Sequence, residues 1–162
     1  MSPQSTRRIR VCLLTIVLVS LVTSCVTEPV APTKREREVS VTKVPSCLRC
    51  PVYKIVVFPD GEVEFTGIEY VKRLGLTRGR ITPEMLSRID KALEDVQRYA
   101  TRNRYAIDSL ADAEIVRIEF PSRNHSIQTV EFQPVLSGRP IDALTKLFSA
   151  IVEAVKPFGW LR

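Results

Sequence analysis

Two cysteines separated by two residues, in Cys47-Leu48-Arg49-Cys50, form the sharpest chemical pairing in the chain. Such a pair can cycle between dithiol and disulfide when one thiol is held as thiolate, which a helix N-terminus directly behind it achieves. Here the pair follows a proline-containing segment and runs into Pro51-Val52-Tyr53-Lys54-Ile55-Val56-Val57-Phe58, whose β-branched and aromatic residues read as a strand. Without a helix the thiolate lacks that stabilisation. The pair therefore reads as a short structural disulfide, worth at most about 2 kcal/mol by loop entropy. Thiol-disulfide exchange at Cys47 and Cys50 is the enzymatic alternative. Zinc is not expected, because a structural site needs four Cys or His ligands and the domain from Cys47 onward offers only His125 beside this pair.

His125 sits in Ser122-Arg123-Asn124-His125-Ser126, a turn-forming sequence rich in hydroxyl and amide residues for backbone reasons. Ser122, Ser126, Asp108 and Asp112 are near it in sequence, yet no nucleophile elbow or nucleotide-binding glycine loop accompanies them. No catalytic residue and no cofactor is assigned. Lys72, Arg73, Arg78 and Arg80 are a candidate anion-binding group, joined by Arg98, Arg102 and Arg104 farther on. Cations near a helix C-terminus are expected for stability alone, and Glu62, Glu64 and Glu69 stand ready to neutralise part of the patch. Tyr99, Tyr105, Phe158 and Trp160 read as core and cap rather than as a ligand platform.

The elements that would position these residues follow from hydrophobic periodicity. Residues 51–58 and the alternating Glu62-Val63-Glu64-Phe65-Thr66 make a hairpin about Pro59-Asp60-Gly61. A third strand is expected from Ile68 to Leu74. Thr82-Pro83-Glu84 opens a helix with a hydroxyl cap, a proline whose missing N–H is harmless and a carboxylate at the positive dipole end. Met85, Leu86, Ile89, Ala92, Leu93, Val96 and Ala100 then share one face. After a polar connection, residues 114–120 and 126–132 read as two more strands. A second helix follows Gly138 and Pro140, turns Ile141, Leu144, Leu147, Phe148, Ile151 and Val155 inward, and stops at Pro157. The order strand-strand-strand-helix-strand-strand-helix predicts an α+β fold: an antiparallel sheet of four to five strands with two helices packed on one face.

The N-terminal residues concern location. Arg7, Arg8 and Arg10 precede the apolar run from Val11 to Thr23, then Ser24 and Cys25. The run is shorter than the roughly 20 residues a membrane-spanning helix needs and has no polar face. Leu21-Val22-Thr23-Ser24-Cys25 resembles a bacterial lipoprotein signal, which implies cleavage before Cys25 and acylation of that residue. The expected organisation is a signal peptide at 1–24, a lipidated N-terminus and flexible tether at 25–46, and one domain at 47–162. The tether reading rests on Pro29, Pro32 and Pro45 and on the charge run Lys34-Arg35-Glu36-Arg37-Glu38. Loss of the three arginines takes the formal charge from +6 to +3, so the basic composition says little about nucleic acid, and none is expected as a partner. Cys12 leaves with the signal, and Cys47 and Cys50 remain in an oxidising compartment.

From Cys47 onward the chain is similar to a family of bacterial envelope proteins known as a domain of unknown function. The residues that carry the resemblance are Cys47, Cys50, Pro51, Val52, Tyr53, Asp60, Gly61 and Gly67, then Tyr70-Val71, Gly79 and Ile81-Thr82-Pro83-Glu84. The family's cysteines are usually separated by three residues including a glycine, whereas Leu48-Arg49 alone stand between them here. The family implies no activity. The resulting expectation is a non-enzymatic envelope lipoprotein, held to the bilayer by acylated Cys25 and binding an envelope protein or glycan. Val26 after the acylated cysteine, rather than Asp, points to the outer membrane.

Overall fold

The computed structural model describes residues 38–161 apart from 46, 109, 111, 112 and 125. Seven strands form one sheet in the order β4-β3-β2-β1-β6-β7-β5. They are β1 (Val39–Val44), β2 (Val52–Val57), β3 (Glu62–Glu69), β4 (Gly75–Arg80), β5 (Arg104–Tyr105), β6 (Ile115–Pro121) and β7 (Ile127–Phe132). Helices α1 (Pro83–Tyr99) and α2 (Arg139–Val155) follow β4 and β7, and a 3-10 turn at Lys156–Phe158 ends α2 at the expected proline.

The fold is α+β with two helices, but the sheet is larger than the four to five strands expected, and it is mixed. Three departures account for this. Val39–Val44 lies within the segment assigned to the tether, yet it is the central strand, pairing antiparallel with β2 through Val41↔Ile55 and with β6 through Val41↔Ile118. Its Val-Ser-Val-Thr alternation buries Val39 and Val41 on one face, and this period-two signal was diluted by the charged residues before it. The third strand lies at Gly75–Arg80 rather than at 68–74, because the chain leaves β3 at Glu69 and must turn before it can pair back. Finally, Arg104 and Tyr105 pair parallel with Glu131 and Phe132, adding a two-residue edge strand from the polar connection.

The remaining elements fall where periodicity places them. The β2–β3 hairpin closes with the Gly61 N–H donating to the Phe58 carbonyl, and Gly61 takes φ 81°, a conformation open to glycine. Thr82 caps α1 by accepting from the Met85 N–H. Alternate strand residues, among them Val41, Ile55, Phe65, Ile118, Val130 and Phe132, are fully buried in one core with Ile89, Ala92 and Val96 of α1 and Leu144, Leu147 and Ile151 of α2. Both helices thus cover one face of the sheet. α1 crosses from the β4 edge to the β5 edge, and α2 with its following turn leads back towards β4.

The other face is polar and internally paired. Arg78 meets Glu64 at 2.9 Å, Lys54 meets Glu119 at 3.4 Å and Arg117 meets Glu131 at 2.7 Å. Ser40, itself buried, donates to Glu119 at 2.8 Å. This hydrogen bond, helped by Lys54 and Arg117, holds the Glu119 carboxyl below the ordinary carboxylate range.

Candidate functional site

At the β3–β4 edge the chain builds a cleft from two backbone approaches that only glycine permits. A Cβ on Gly67 would overlap the Arg73 carbonyl and stand 2.7 Å from Val71 Cγ2, so the bare backbone of β3 is what lets residues 71–73 fold across the covered face. On the neighbouring strand, a Cβ on Gly79 would stand 2.9 Å from both Phe158 and Trp160, so β4 too presents bare backbone, here to the aromatic pair that follows α2. The Arg73 N–H donates to the Trp160 carbonyl at 3.2 Å and stitches the two walls together. Tyr70 makes the reversal out of β3 with φ 52°.

The rings extend the core to this edge. Tyr53 and Phe65 lie 5.8 Å apart, Phe65 and Trp160 5.4 Å, and Phe158 and Trp160 4.4 Å with nearly parallel planes. Such aromatic pairs add about 0.5–1.5 kcal/mol each beyond area burial. Burial pushes the Tyr53 phenol well above its ordinary range, with Glu114 adding to the effect, so Tyr53 is neutral at any physiological pH. Lys72, Arg73, Thr77, Phe158, Gly159 and Trp160 line the resulting cavity of about 340 Å³.

The four cations grouped by sequence therefore do not act together. Arg78 and Arg80 project from the opposite face of β4, where Arg78 pairs with Glu64 and Arg80 donates to the Asp60 carbonyl at 2.5 Å. Lys72 and Arg73 are exposed at the cleft, and neither takes part in an ion pair among the described residues. Two adjacent uncompensated cations beside aromatic walls can hold an anion, the arginine through its planar fork. Arg104 is engaged by Asp108 at 2.5 Å, and Arg98 lies 6.0 Å over the ring of Tyr99.

Cys47 and Cys50 lie at disulfide distance, with Cα atoms 5.4 Å apart. The turn they close projects Leu48, which is 93% exposed, and the chain enters β2 two residues after Cys50, with no helix behind the pair. Cys25 and His125 lie outside the described residues. Among the described residues no group of three or more His, Cys, Asp or Glu side chains is placed to hold a metal, and no helix is long and apolar enough to cross a membrane.

A second depression lies at the other end of the sheet, between α1 and the strand ends. Val57, Phe58, Leu86, Ile89 and Leu93 give it an apolar floor. Asp90 stands at its rim, held above the usual carboxylate range by desolvation and by Glu94. Gln97 crosses it to donate to the Pro121 carbonyl at 2.7 Å, a structural tie between α1 and β6.

Residues 37–155 match the profile of a Domain of unknown function (DUF6438), a span covering most of the chain. The chain belongs to this family. The match begins just before β1, so DUF6438 includes the strand that composition had placed in the tether. No curated protein and no protein of solved structure matches the chain. In this DUF6438 domain, three of the residues that carried the resemblance, Gly67, Val71 and Gly79, lie beneath the segments that line the cleft. Thr77, Phe158 and Trp160 were not grouped with Lys72 and Arg73 in sequence. Residues 158 and 160 come some 80 positions later, and no local pattern links the segments.

Proposed function

We propose that this protein is a lipid-anchored, non-enzymatic binding domain of the bacterial cell envelope, acylated at Cys25 and directed to the outer membrane. The observation that carries the reading is the order of three arginines, a short apolar run and Ser24-Cys25, followed within 14 residues by the first strand of a folded domain. Acylation with two or more chains gives firm retention, because each buried CH₂ contributes roughly 0.8 kcal/mol. The candidate cleft supplies charge, a hydroxyl and ring surfaces, which suit holding a ligand rather than making or breaking bonds. An envelope protein or glycan is the partner this reading calls for.

The test is Cys25→Ala in the full chain, with fractionation and labelled-palmitate incorporation. Wild type is expected to take up label, lose its first 24 residues and sediment with the outer membrane, whereas the variant takes up none. Equal membrane retention and an uncleaved N-terminus in both forms would refute the anchor.

A further inference from the structure

We infer that the cleft between the β3–β4 loop and the Phe158–Trp160 pair is a binding site for an acidic saccharide, a sugar ring bearing a carboxylate or phosphate. The anionic part of the specification comes from Lys72 and Arg73. They are adjacent and exposed, and no carboxylate lines the cavity beside them. On the far face Arg78 pairs with Glu64 and Glu62, and Arg80 with Asp60, while Glu69 at the end of β3 is exposed and does not line the cavity. Two adjacent cations outside those pairs give a local positive field, and a cleft concentrates it.

The ring part comes from the walls. Phe158 is partly exposed and backed by Trp160, which stacks in turn on Phe65, so its ring is a flat apolar surface fixed by stacking rather than a mobile side chain. A pyranose presents a flat C–H face to such a surface and hydroxyls at its rim, where Thr77 offers a side-chain hydroxyl as donor and acceptor. A bare anion would use the cations and leave the wall empty, whereas a neutral sugar would use the wall and leave both charges unmatched. About 340 Å³ accommodates a sugar-sized ligand and is at the lower edge of small-molecule sites.

The site is also held in its binding shape. The Arg73 N–H to Trp160 carbonyl bond fixes the cationic loop against the aromatic wall, and both walls sit on glycine backbones that admit no slack. The ordering cost of binding is correspondingly reduced.

Choosing a saccharide over other anionic rings rests on the envelope reading above, but the assay uses purified protein and does not depend on acylation. Trp160, the only tryptophan in the chain, lines the cleft and reports on it by fluorescence. The full-length protein is titrated with N-acetylmuramic acid, N-acetylglucosamine 6-phosphate, neutral N-acetylglucosamine and inorganic phosphate, and separately with phosphatidylglycerol vesicles. A saturable change in Trp160 emission is expected with at least one acidic sugar, at least tenfold tighter than with neutral sugar or phosphate. Lys72→Ala combined with Arg73→Ala should weaken it at least tenfold, while Arg78→Ala on the opposite face leaves it unchanged. Both side chains in the double variant are exposed, so its circular dichroism and melting should match wild type. The inference is overturned by equal response to neutral sugar or to phosphate alone, by preference for vesicles, by an undiminished response in the double variant, or by no saturable response. Such an outcome would leave the Cys25→Ala result standing, and a failure of the anchor would leave the titration standing.

Discussion

Gly67→Ala isolates the steric logic of the cleft. Gly67 does not use the left-handed backbone, so in an open strand position the added methyl would be expected to stabilise the protein by about 0.4–1 kcal/mol through the unfolded chain. Here the methyl would occupy the position of the Arg73 carbonyl and press on Val71, so residues 71–73 must lift from β3. Lifting them breaks the Arg73 N–H to Trp160 carbonyl bond, worth about 1 kcal/mol net. It also exposes Val71, a partly buried side chain packed on the core, at a further cost of roughly 1 kcal/mol. With the unfolded-state gain subtracted, the net loss is about 1–2 kcal/mol, which for an ordered region of this size lowers Tm by roughly 4–10 °C. Urea unfolding at constant m-value and thermal melting would measure it, with Trp160 emission reporting the opening of the cleft in the folded state. A Gly67→Ala protein as stable as wild type, with unchanged emission, would refute the packing account.

Two further outcomes follow from the same structure. Ser40→Ala should cost about 1 kcal/mol at neutral pH, at the low end for a charge-assisted bond because Glu119 is more than a third exposed. Since the Ser40 bond lowers the folded-state pKa of Glu119, its contribution is present above the unfolded value near 4.3 and is lost as pH falls through the lower folded value. The wild-type advantage in urea should therefore shrink below about pH 5, and a gap independent of pH would contradict this assignment. A chain starting at Cys47 should fail to fold, because it lacks the strand joining β2 to β6, whereas one starting at 37 should show cooperative unfolding; equal circular dichroism from the two would overturn the placement of β1.

The elements governed by one local signal were legible in the sequence. α1 announces itself with Thr82-Pro83-Glu84 and its apolar stripe, and the Pro59-Asp60-Gly61 hairpin and the β6–β7 pair show period two with turn residues between. What escaped were features whose cause lies elsewhere in the chain. β1 has only six residues and sits beside a charge run, and its strand character is decided by partners at 53–57 and 115–119. β5 is set by an edge that β7 supplies. Within the cleft, the cations were visible as residue types, but strand register alone separates Lys72 and Arg73 from Arg78 and Arg80. Gly67 and Gly79 could be seen as glycines in or near strands, a hint of close backbone approach, without any indication of what approaches.

The central place of β1 also imposes an order on folding. As the chain emerges from its N-terminus, β1 can pair at once with β2, and β2 with β3, while the other edge of β1 waits for β6, with Ser40 and Glu119 79 positions apart. Until residues 115–121 arrive, the middle of the future sheet is an open strand edge flanked by apolar side chains, the kind of edge that captures foreign strands. Closing it carries the loop entropy of most of the domain, so the β1–β6 zipper is the contact on which folding speed and escape from aggregation both turn.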